Sequence, residues 1–269
     1  MKKEVKKKNR KVNKKILIIL PIILILFIIL GCCFLLLNNT KKEEISLNFT
    51  SGIEKLRKID SKGVYKIGWL QVQGTNIDLP VLYAAAIENE YDYSFSWLSP
   101  NYVTGENREV LLGHNVVNVS NKPMLPNKDL KDFEELMAFV YYDFAKENLY
   151  IQYTQNGKDD IYLIYAVGFT DYEYDYSSGY GYSDKEEIDN YIKETRKNSI
   201  YDYDIDVDSS DTLIQLKTCT RMFGIGKNQQ FVIDARKLRK NEKTIKYDVK
   251  TSEMFDKLDL KGEKDKKTF

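Results

Sequence analysis

The chain has 269 residues, 43% of them hydrophobic, which is enough for one substantial core with appendages. Its formal net charge of +1 conceals a split: residues 1–15 hold nine Lys or Arg and one Glu, and the remaining 254 residues carry −7. The basic excess is confined to a tail before an apolar run, so the pattern of a nucleic-acid-binding surface is excluded.

Residues 16–37 are 22 residues without a charge. As a helix they reach roughly 33 Å, enough to cross a bilayer core. The cations before them and the mixed 38–44 sequence after them predict one transmembrane helix, with the 1–15 tail inside and the rest of the chain outside the cell membrane. Pro21 falls in the second turn, where a membrane helix tolerates it. A cleaved signal peptide has a shorter apolar core and a small-residue cleavage site. Ile29-Leu30-Gly31-Cys32 loosely resembles a lipoprotein cleavage box, but residues 33–37 continue apolar. The expectation is an uncleaved anchor, with Cys32 and Cys33 as small residues in lipid. The exported part then holds one cysteine, Cys219, which has no partner for an intramolecular disulfide.

Residues 38–65 are a charged connector with apolar positions at Ile45, Leu47, Ile53, Leu56 and Ile59, predicting one or two amphipathic helices. Strands dominate residues 66–239. KIGWLQV opens the series, and IDLPVLY follows, with Pro80 arguing for an edge or a bulge. Residues 88–100 read as an aromatic loop with a helical turn. Residues 109–112 read as the strand that delivers His114, 115–129 as a polar loop, and 130–138 as a short helix. Residues 139–144, 148–154 and 160–171 read as strands, the last two joined by a hairpin at Asn156-Gly157.

Residues 171–184 hold five tyrosines and four acids, at a spacing that does not fit a calcium loop. They read as a solvated loop before a helix, which opens on a Ser183/Glu186 capping box and buries Ile188, Tyr191 and Ile192. Residues 206–211 read as an ordinary acidic turn rather than a cation site. Residues 240–269 are charged with sparse apolar positions, and predict a tail that is mostly disordered or loosely helical. Together the elements give a mainly β or α+β domain of about seven or eight short strands with one inserted helix.

The stretch 211–238, DTLIQLKTCTRMFGIGKNQQFVIDARKL, reads as strand, break, strand. Cys219 sits where the first strand runs into the glycine-containing break, a usual position for a nucleophile that must meet a substrate. Its bland alternative is a small buried hydrophobe. His114 is the only histidine in the chain and also lies at a strand end. Imidazole exchanges protons near neutral pH, the partner that a thiol nucleophile needs.

At these positions the sequence resembles the sortases. Leu216-Lys217-Thr218-Cys219 fits the L-x-T-C nucleophile strand, Gly113-His114-Asn115 fits the histidine motif, and GWLQVQGTNIDLPVL looks like the opening strands. The resemblance covers roughly residues 68–238, and the inserted helix is similar to class B. It implies a closed β-barrel and transpeptidation without metal or organic cofactor. Cys219 would attack the Thr carbonyl of a C-terminal sorting signal, of NPQTN type, in a secreted protein. His114 would protonate the leaving amine and later deprotonate an amine of a peptidoglycan precursor. Thr218, Asn115 and Gln230 become the implied substrate-binding positions.

One feature departs from the family. Sortases carry an arginine on the strand after the cysteine, and Gln230 stands at that place here. Arg236 lies about 20 Å further along that strand. Arg221, two residues after Cys219 and on its face if the strand continues, is the expected substitute at the developing oxyanion. Two rivals remain. One is another extracytoplasmic Cys/His peptidase, although an L,D-transpeptidase is expected to show a second histidine and a glycine beside its cysteine. The other is a catalytically weak or silent sortase-like peptide-binding protein.

Overall fold

The computed structural model describes residues 43–59, 66–83, 95–98, 107–171 and 184–260. The expected transmembrane helix and the tyrosine-rich loop lie outside the described residues. Among the described residues no helix is long and apolar enough to cross a membrane.

The chain from Glu44 onward is one unit built on a closed eight-stranded barrel. Its strands are β1 (Lys66–Val72), β2 (Asp78–Tyr83), β3 (Ser96–Leu98), β4 (Arg108–Leu112), β5 (Tyr150–Gln155), β6 (Lys158–Thr170), β8 (Leu213–Cys219) and β9 (Gln230–Lys237), while β7 (Tyr201–Tyr203) lies outside the barrel. Their order is β1-β2-β3-β4-β8-β9-β6-β5, and β5 closes the ring on β1. Closure leaves no sheet edge to protect. The β5–β6 hairpin turns on Asn156 and Gly157, both at positive φ (50° and 74°), as a two-residue turn between twisted strands demands. β3 pairs with β2 only from Val81 onward, so Pro80 precedes that pairing.

Most pairs are antiparallel, but β4 runs parallel to β8, with Leu112 opposite Lys217. Strand alternation sorts β8 and β9 into two faces. Ile214, Leu216, Phe231, Ile233 and Ala235 point into the hydrophobic core. The outer face carries cross-strand rows: Cys219–Gln230–Thr170, then Lys217–Val232–Gly168, then Gln215–Asp234–Ala166. Helix α3 (Lys185–Asn198) covers the lower rows. The expected Ile188, Tyr191 and Ile192 are its buried stripe, and Asp184 caps it by accepting from the Glu186 N–H, while the expected cap residue Ser183 lies outside the described residues. Beneath it the Tyr191 hydroxyl donates to Asp234, and Gln215 Nε2 donates to Asp234 at 3.0 Å. The Arg108 guanidinium lies 3.8 Å from the Tyr191 ring centre.

Among the described residues of the expected connector there is one short helix, α1 (Gly52–Lys58), and the Gln71 side chain is bonded to the Thr50 backbone. Three expectations are corrected. Residues 139–144 are no strand. They finish a 3-10 helix (Asp132–Val140) and begin α2 (Tyr142–Glu147), their aromatic residues serving helix packing, as in the edge-to-face pair Phe139–Phe144. Within the expected 88–100 loop, Ser96–Leu98 is a barrel strand. Residues 240–260 are ordered. β10 (Val249–Thr251) pairs with β7, α4 (Glu253–Lys257) follows, and Val249, Phe255 and Leu260 are buried. Sparse apolar residues suffice there because each fills a site on a core already built. The acidic turn at 206–211 is tied by Arg239, whose guanidinium reaches Asp206, Asp208 and Asp211.

Candidate active site

The parallel pairing of β4 and β8 sends both strands out at one end of the barrel, and their next residues meet there. Gly113 N donates to Lys217 O, and Thr218 Oγ1 donates to Gly113 O at 2.8 Å. Gly113 has no room for a side chain: a Cβ would stand 2.3 Å from Phe133. The His114 N–H donates to the Asp132 carboxylate, and His114 O accepts from Phe133 N at 3.2 Å. Asp132 holds this position at φ 49°, a left-handed conformation that costs energy outside glycine.

Asn115 closes the junction. Its Nδ2 donates to Cys219 O at 2.9 Å and to Asn118 O at 3.1 Å, and its Oδ1 accepts from Asn118 N. One amide thus fixes the histidine loop to the cysteine strand. The loop is held from below as well: buried Glu134 accepts the N–H groups of Val116 and Val117 at 3.1 and 2.8 Å. Glu135 accepts from Asn127 N and from the Asn76 amide.

His114, Asn115, Val116, Val119, Cys219, Thr220, Arg221, Ile225 and Gln229 line one cleft of about 470 Å³, with no carboxylate among them. Cys219 is exposed at its floor, so it is not a buried filler. β8 ends at Cys219, so the strand does not continue to Arg221 as the sequence reading required. A turn brings Arg221 to the cleft instead, its N–H donating to Val119 O at 2.9 Å. Its exposed guanidinium makes no hydrogen bond or ion pair among the described residues.

Four of the six expected site residues therefore share the cleft. Thr218 points to the opposite face of β8 and is buried, its hydroxyl spent on Gly113. Gln230 lies directly across from Cys219 but is 8% exposed and outside the cleft lining, with Oε1 buried and unbonded among the described residues. Arg236 is remote and structural, with Glu242 across a bidentate pair at 2.6 and 2.7 Å. Asp132, Glu134 and Glu135 were not anticipated, because acids in a short helix read as a solvated face. Their signal was the apolar company of KDFEELMAFV, which leaves little room for a solvated side. Among the described residues no group of three or more His, Cys, Asp or Glu is arranged to hold a metal ion.

The architecture has solved counterparts. Sortase B of Clostridium perfringens matches over 65% of this chain and 94% of its own, at 23% identity and TM-score 0.53. Sortase B from the type II pilus of Streptococcus pneumoniae matches over 70% and 98%, at 22% identity and TM-score 0.54. The chain has the sortase B fold. The Staphylococcus aureus sortase B–substrate complex matches over 70% and 84%, at 18% identity and TM-score 0.53. At these identities the shared property is the sortase B architecture. No family model and no curated relative matches the sequence.

Proposed function

We propose that this chain is a membrane-anchored cysteine transpeptidase. The observation that carries the reading is that its only histidine and an exposed cysteine line one cleft on a sortase B fold. Cys219 attacks the backbone carbonyl of a C-terminal sorting signal, NPQTN-like, and the resulting thioester keeps the acyl group reactive toward an amine. His114 gives a proton to the departing amine and takes one from the incoming amine, a peptidoglycan precursor. Arg221 supplies positive charge near the developing oxyanion. Among the structural neighbours are a sortase B–substrate complex and a sortase B complexed with triglycine, which fits a peptide donor and an amine acceptor. Residues 16–37 hold the domain at the outer face of the membrane, where exported protein and a lipid-linked acceptor meet.

Mixing the chain with an NPQTN-like peptide and a glycine-based amine tests the reading. Cys219→Ala is expected to abolish turnover, and His114→Ala to lower it by about a hundredfold or more. Mass spectrometry should find the acyl-enzyme on Cys219. Near-wild-type cleavage by either variant sinks the mechanism. Tight peptide binding without any acyl-enzyme would favour a silent binding protein.

A further inference from the structure

We infer that the mouth of the Cys219 cleft docks on an anionic bilayer surface. This deepens the reading above and rests on its membrane-anchored part. Two loops form the lips, residues 114–128 and 220–230. They expose Val116 (56%), Val117 (60%), Met124 (37%) and Ile225 (89%), which with Tyr83 are all the large hydrophobic residues standing exposed among the described residues. Val116 and Ile225 line the same cleft, and large apolar residues exposed together at a cleft mouth mark an interaction surface.

The display is built rather than incidental. Glu134 pins the backbone of Val116 and Val117, which turns both side chains outward. Asn118 clasps Met124 through both its backbone groups, at 2.8 and 3.2 Å. Ile225 stands between Gly224 and Gly226 at φ +90° and +87°, in open space on both sides.

The lips also differ from the rest of the domain in charge. They carry Lys122, Lys128, Arg221 and Lys227, with the exposed Asp129 at the end of the first lip the one acid beside them in the chain, although residues 16–269 sum to −7. Among the described residues the carboxylates bonded to them are the buried Asp132, Glu134 and Glu135 beneath the first lip, and Asp171 at the Asn228 N–H. Apolar tips among lysines and arginines are the composition of surfaces that lie in the headgroup region of anionic lipid. Val117 and Met124 stand outside the cleft lining, so the tips offer a broad contact beyond the peptide's path. The sequence leaves seven residue steps between Leu37 and Glu44, at most about 25 Å of extended backbone. An anchored domain never travels far from the headgroups.

The full chain, reconstituted in phosphatidylcholine vesicles with and without phosphatidylglycerol, carries a tryptophan at Ile225 or Val117, and quenching by nitroxide-labelled lipid is read. Quenching by shallow labels in the anionic vesicles is expected. Lys122→Glu with Lys227→Glu should shift the docked population by about tenfold or more. Val117→Asp should abolish docking while peptide cleavage in detergent persists. Three outcomes overturn the inference: no quenching on anionic vesicles, tip burial only where sedimentation shows dimers, or Val117→Asp lowering detergent cleavage in step with docking. Quenching does not need turnover, so lost cleavage with intact quenching counts against the catalytic reading alone.

Discussion

At the scale of single residues, two arginines with similar sequence prospects have separate fates. Arg221 alone lines the cleft, so Arg221→Ala should slow cleavage by about a hundredfold or more, comparable to losing an oxyanion donor. Gln230→Arg should gain little, since Arg221 already brings a positive charge to the cleft and Gln230 lies outside its lining. Cleavage rates that put the two variants the other way round would mean that the site has lost its arginine. Arg236→Ala should leave the chemistry alone but destabilise the fold by about 1–3 kcal/mol, because the partly exposed Glu242 loses its charged donor and keeps only the Arg239 N–H and the Tyr247 hydroxyl. That pair also predicts a pH dependence. The Arg236 guanidinium holds the Glu242 carboxyl down to about 2, from an ordinary 4.5. A depressed folded value means the unfolded chain binds the proton more readily. The stabilisation is complete above about pH 5 and is lost as pH falls toward 2, on the order of 3 kcal/mol in all. Denaturant titrations across that range should show the slope, and Glu242→Gln should flatten it.

Among the elements, legibility followed locality. β1, β2, β5, β6, β8 and β9 were readable because each has its own pattern of alternation or β-branched residues, bounded by turn residues. His114 and Cys219 were readable because each residue type is rare here and each ends a strand. Residues 139–144 were misread, since aromatic residues suit a strand and a buried helix alike. Thr218 was misjudged because alternation turns it away from its neighbour Cys219. The tail was misread because its few apolar residues are buried by contacts with distant parts of the chain. Phe255 is 1% exposed and packs at 5.7 Å, ring centre to ring centre, on Tyr201 of β7. Phe255→Ala should therefore cost about 3–5 kcal/mol, read as a lowered denaturation midpoint. An unchanged midpoint would restore the picture of a dispensable tail.

For the whole molecule, residues from Glu44 onward have their own core and a closed sheet. A chain beginning there should unfold in one cooperative transition as a monomer, checked by calorimetry and sedimentation. Aggregation or a broad transition would show that residues 1–43 are needed to fold. The cut should fall no later, because Glu44 bridges to Ile245 and Ile45 N donates to Thr244 O at 2.9 Å. The parallel pairing of β4 and β8 has a last consequence, in time rather than space. Two parallel neighbours cannot be joined by a hairpin, and here about a hundred residues intervene between Leu112 and Leu213. Contacts so distant along the chain form late and slowly. Until the ring closes, Cys219 and His114 do not share a cleft. On the proposed mechanism, reactivity is therefore switched on by completion of folding itself, and a half-folded chain is not expected to form a thioester with the peptides that it meets.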